Sequence, residues 1–68
     1  MQEKLIILRL ERGLSKIFMG KLIGRTAKQY AQKEKGLNQF TANEMFTIAN
    51  YFEKKIEDIF LPTFEQIS

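Results

Sequence analysis

Three glycines divide this chain into short lengths, and that division limits its fold more than any other feature. Gly13, Gly24 and Gly36 each close a run with helical apolar spacing, and glycine readily takes the left-handed conformation that ends helices. Hydroxyl side chains reopen the runs. Residues 3 to 12 read as a first helix, and Ser15 is placed to cap a second, with Leu14 and Met19 as a hydrophobic staple. Thr26 caps a third, with Gln29 at the capping-box position. Thr41 and Glu44 form another capping box, flanked by Phe40 and Met45, and open a fourth helix that runs to about Phe52. A short fifth is expected near Ile56 to Phe60, before Pro62. Strand signals are almost lacking, with one proline, no Asn-Gly or Asp-Gly turn and little alternation. The expected architecture is a compact all-α bundle of five short helices, over residues 1 to 60, followed by a tail, "LPTFEQIS", over 61 to 68.

With 68 residues the chain is enough for one domain with a thin core, burying about 60% of its unfolded surface. The hydrophobic share of 44% and charged share of 28% are those of a globular protein. There is no cysteine and no histidine, which removes disulfides, thiolate chemistry, zinc sites and the usual base at neutral pH. Glu44, Glu53, Glu57 and Asp58 read as surface or capping carboxylates with no nucleophile beside them. Neither an enzyme, a cofactor nor a small-molecule ligand is expected. The longest apolar run, "LIIL" at residues 5 to 8, is too short for a bilayer, so a soluble cytoplasmic protein is the expectation.

Charge is unevenly placed. Residues 16 to 35 carry Lys16, Lys21, Arg25, Lys28, Lys33 and Lys35 against Glu34 alone, a balance of +5, whereas the rest of the chain has a balance of −2. Such asymmetry marks a polyanion-binding face or a well-solvated helix. At about 100° per residue, the third helix sorts Ala27, Tyr30, Ala31 and Glu34 onto one stripe. Lys28, Gln29, Gln32 and Lys33 fall opposite. The first stripe suits close packing. The second holds the residue types that bond base edges and phosphates.

Two further positions call for partners. Gly20 lies inside the second helix, where glycine costs about 1 kcal/mol relative to alanine, and a close crossing by the third helix accounts for it. Glu34 lies on the inward stripe, where an unpaired carboxylate is expensive; Arg9 and Arg12 on the first helix are its candidate partners.

The run "GLSKIFMGKLIGRTAKQYAQKEKG", residues 13 to 36, followed by "FTANEMFTIANYFEKKIEDIF", resembles the helix-turn-helix domain of the phage repressor and Cro (XRE-like) family. The shared features are small Gly20, the turn at Gly24, inward Tyr30, the closing "EKG" and the phrase "IEDIF". The resemblance covers about residues 5 to 60. It implies a lambda-repressor-like five-helix bundle that binds double-stranded operator DNA as a homodimer and regulates transcription, most often as a repressor. It places Ala27, Lys28, Gln29 and Gln32 at base-reading positions. Ser15, Lys16, Lys35 and Asn38 fall at phosphate-contacting positions, and Arg9 is chosen over Arg12 as the structural partner of Glu34.

Two residues depart from the family pattern. Arg25 and Lys33 stand where apolar residues are usual. Both are counted among the phosphate-binding residues, Arg25 by swinging towards phosphate and Lys33 by burying its stem while its ammonium reaches outward. Ala27 can offer only a methyl contact, and Gln29 is claimed by both the capping box and a base edge. On the first helix Ile6, Ile7 and Leu10 point away from Leu5 and Leu8, towards the tail residues Leu61, Phe64 and Ile67 or towards a second subunit. The family precedent places dimer contacts around Ile56 to Phe60. A different reading of these apolar residues is a protein-interaction module that binds another regulator.

Overall fold

The computed structural model describes residues 1 to 62. Four α-helices occupy Glu3–Glu11 (α1), Lys16–Leu22 (α2), Ala27–Lys35 (α3) and Ala42–Phe52 (α4), followed by a 3₁₀ turn at Ile56–Asp58. No strand occurs among the described residues.

The local rules for starting a helix operate at three of these elements. Ser15 Oγ accepts the Phe18 amide at 3.0 Å. Thr26 Oγ1 accepts the Gln29 amide at 3.1 Å while the Thr26 amide donates to Gln29 Oε1 at 3.0 Å. Thr41 and Glu44 make the same reciprocal pair, at 3.2 and 3.0 Å. Each box satisfies donors that a helix start leaves open. Gly36 ends α3 at φ 88°, a conformation costly for any residue with a Cβ. Glu53 ends α4 at φ 57° without a glycine.

The expected fifth helix is corrected to a single 3₁₀ turn. Lys55 contributes no side-chain cap, and the Ile56 carbonyl accepts both the Ile59 and Phe60 amides, at 3.0 and 2.9 Å. Pro62 then bars helical geometry at the residue before it. The turn folds Ile59 and Phe60 into the core, where they join Leu5, Met19, Tyr30, Ile48, Ala49 and Phe52. Phe40 links two of these rings, at 6.0 Å from Tyr30 and 5.1 Å from Phe60 between centroids.

Of the helix pairs, α2 and α3 pack most extensively. A Cβ on Gly20 would lie 2.7 Å from the Arg25 carbonyl oxygen and 2.9 Å from that of Thr26. The missing side chain is therefore what lets the start of α3 rest on α2. The two ends of the described chain also meet. Gln2 Nε2 donates to the Leu61 carbonyl at 3.2 Å, and the Leu61 amide donates to Gln2 Oε1 at 2.7 Å. The Gln2 amide in turn donates to the Glu34 carbonyl at 2.9 Å. Leu61, the first residue of the expected tail, is thus tied to the N-terminal segment. The expected contacts of Phe64 and Ile67 lie outside the described residues. Ile6 is half-buried, while Ile7 and Leu10 are 57% and 62% exposed.

Candidate functional site

Helix α3 is fixed on its inward side by a buried polar cluster. Tyr30 is fully buried, and its hydroxyl donates to Glu34 Oε2 at 2.6 Å. Arg9 reaches the same carboxylate from α1, with Nε donating to Oε2 at 2.8 Å and Nη2 to Oε1 at 3.2 Å. Its Nη1 donates to the Leu14 carbonyl at 3.0 Å. The hydrogen bond to Glu34 holds the Arg9 pKa above its ordinary value despite burial. Burial first, and then the bond to Glu34, push the Tyr30 phenol up, so it stays a donor. Two-point contact by a planar guanidinium sets both the rotation and the height of α3 against α1. Arg12 lies elsewhere, its guanidinium 5.4 Å from the Phe52 ring centre.

The outward side carries the polar residues singled out in the sequence. Lys28 and Gln29 are exposed, and Ala27 and Gln32 are half-buried. Ser15, Lys16, Lys35 and Asn38 are exposed as well. Several of these groups already have internal work. Gln29 gives its carbonyl oxygen to the capping box, leaving its amide N–H₂ pointing elsewhere. Gln32 Oε1 accepts from Asn38 Nδ2 at 3.2 Å, and the Gln32 backbone carbonyl accepts the Leu37 and Asn38 amides at 2.9 and 3.3 Å. Gln32 and Asn38 thus form one unit at the end of α3.

Lys33 has a different placement from the one expected, and Arg25 shares its partner. Both turn to Glu44. Arg25 Nε donates to Glu44 Oε2 at 2.7 Å, and Lys33 Nζ lies 3.0 Å from Glu44 Oε1 while donating to the Gln39 carbonyl at 2.8 Å. The Lys33 side chain is only 11% exposed, so the expected outward-reaching ammonium is corrected to an inward one. A buried carboxylate at the start of α4 draws it in. Arg25 keeps 41% of its side chain in solvent. Glu44 is therefore more than the capping residue read from the sequence. Its signal was indirect: two cations at usually apolar positions call for a buried acid.

Burial alone would push the Glu44 carboxyl up, but hydrogen bonds from the Thr41 amide, Arg25 and Lys33, with the Lys33 charge, hold it down at about 2. A folded-state pKa below the ordinary 4.5 stabilises the fold fully above that pH. The stabilisation is lost as pH falls from 4.5 through about 2. Its size is on the order of 2 kcal/mol once the solvent exposure of Arg25 is discounted. Unfolding free energies measured across this window should fall by that amount in the parent chain, and Glu44→Gln should flatten the fall.

The structure also exposes apolar residues that sequence patterning missed. The rings of Phe18 and Tyr51 meet at 5.5 Å on the surface, and Ile17, Leu37 and Phe46 are largely exposed. Among the described residues no helix is long and apolar enough to cross a membrane. No family model, curated protein or solved structure matches the chain at a significant level.

Proposed function

We propose that this chain is a sequence-specific double-stranded-DNA-binding regulator of transcription, of the repressor and Cro type, working in the cytoplasm. One observation carries the reading. Helix α3 buries Tyr30 and Glu34 and keeps Lys28, Gln29, Lys35 and the half-buried Gln32 on its accessible side. In this reading α2 and α3 are a helix-turn-helix pair, joined by the turn at Gly24 and held close by Gly20. Helix α2 crosses the phosphate backbone while the N-terminal half of α3 enters the major groove. Lys28 and Gln32 read base edges, each good contact contributing about 1–3 kcal/mol of discrimination. Ser15, Lys16, Lys35 and Asn38 meet phosphates, and their cations add sequence-independent affinity through counterion release.

A single small domain offers a limited interface, so a homodimer on a two-part site is part of the proposal. The turn at Ile56–Asp58 offers a partner less than the family precedent implies, because Ile59 and Phe60 belong to the core. Ile7 and Leu10 on α1 remain available. The same two residues favour the second reading, a module that binds another regulator protein.

Duplexes selected from a random pool, with scrambled controls, test both readings. Lys28→Ala should bring binding to the selected duplex close to that of the control, a loss of roughly tenfold or more in preference. Lys16→Ala should weaken binding to both duplexes alike. Equal losses on both duplexes for Lys28→Ala remove it from base reading. A parent chain that binds no duplex even at low salt favours the protein-interaction module.

A further inference from the structure

We propose that Glu44 is a positioning residue for the nucleic-acid face: it presents the Arg25 guanidinium to phosphate and withdraws Lys33 from it. This inference rests on the DNA-binding reading and assigns unlike roles to two cations that charge alone makes equivalent.

The geometry separates them. Glu44 Oε2 takes only the Nε donor of Arg25, so Nη1 and Nη2 have no hydrogen-bond partner among the described residues. Arg25 immediately precedes Thr26, the cap of α3, and so sits at the end of that helix that enters a groove first. A guanidinium held at Nε has its remaining donors fixed in a planar fork that matches phosphate oxygens. It loses less rotamer freedom on binding than an untethered arginine. Lys33 is the opposite case. Its ammonium is shared between Glu44 Oε1 and the Gln39 carbonyl, with its Nζ 6.0 Å from the centre of the Phe40 ring. Two cations and one carboxylate leave a net charge of +1, and the exposed member of the three is Arg25. Glu44 is in turn anchored by the Thr41 amide, so the start of α4 sets where that charge stands.

The salt dependence of binding counts the cations that displace counterions, a quantity that a purely stabilising role would leave unchanged. With a random-sequence duplex as probe, the slope of log K against log salt should shrink by about 0.9 per protomer in Arg25→Met. Lys33→Met should leave the slope as it is. Glu44→Gln keeps Oε1 as the acceptor for the Thr41 amide and Lys33 but sets its Nε2 donor against Arg25 Nε, so Arg25 loses its tether: the slope should stay as it is, while preference for a selected duplex over its scrambled control falls. Helical circular dichroism establishes that each variant is folded. Should Glu44→Gln fail to fold, Arg25→Met and Lys33→Met, measured with Glu44 intact, decide the matter. Equal slope losses in those two variants, or none in Arg25→Met while the parent binds with a steep slope, overturn the proposal alone. A parent chain with no duplex binding at low salt overturns the DNA-binding reading, and this one with it.

Discussion

Arg9→Leu should cost the domain about 3–5 kcal/mol of stability. The substitution leaves the Glu34 carboxylate, 3% exposed, with the Tyr30 hydroxyl as its only remaining side-chain donor among the described residues. The Leu14 carbonyl loses its donor as well. Breaking a buried pair on one side typically costs about 3–5 kcal/mol. Domains of this size have a total stability of roughly 3–10 kcal/mol, so the loss takes a large share of it. The cause is an uncompensated charge rather than a missing attraction, and this distinction can be measured. The triple variant Arg9→Met, Glu34→Met, Tyr30→Phe removes the charges and the hydroxyl together, and should recover most of the stability. Urea unfolding of the single and triple variants makes the comparison. An Arg9→Leu midpoint matching the parent's would mean that α3 is not held by this cluster.

Gly20→Ala should be the second large loss, against the trend of helix propensity. Alanine inside a helix gains about 1 kcal/mol over glycine, and an exposed site would show that gain. Here the added methyl meets the carbonyl oxygens of Arg25 and Thr26 at 2.7 and 2.9 Å. Both belong to the backbone, so no side chain can rotate away. The Arg25 amide also donates to the Gly20 carbonyl at 2.7 Å, and that bond must lengthen as the start of α3 lifts. Overpacking of this kind costs about 1–3 kcal/mol, with backbone contacts at the upper end, leaving a net loss of about 1–2 kcal/mol. Thermal unfolding measures it. A more stable Gly20→Ala protein would show that α3 does not rest on α2 at this point.

The parts of the fold legible in the sequence were those governed by neighbours a few residues apart. Ser15, Thr26 and Thr41 cap their helices because an N-cap hydroxyl and the amide three residues on meet in any helix start. The inward stripe of Tyr30 and Glu34 follows from helical period alone. Arg9 and Arg12, by contrast, stand three residues apart, in the last turn of α1 and at its C-cap, and burial cost by itself could not choose between them. Only the packing of α1 on α3 separates an arginine in the core from one lying over Phe52. Glu44 illustrates the same limit. Its bond to the Thr41 amide is local, whereas its bonds to Arg25 and Lys33 depend on how α4 meets both ends of α3. The end of α4 was placed near Phe52 without any glycine to mark it, because Glu53 takes the left-handed conformation itself. Phe18, Phe46 and Tyr51 gave no warning of exposure, since an apolar residue on an amphipathic helix reads as core until its neighbours are known.

The paired bonds between Gln2 and Leu61 join positions 59 apart in the chain. The seam rests on two part-buried hydrogen bonds, and local opening begins where few buried contacts hold a segment, so this is the natural place for the domain to come apart first. It can open while Arg9 still grips Glu34. The polar cluster then keeps α3 seated through excursions that loosen the two ends, and the surface it offers outlasts the completeness of the fold.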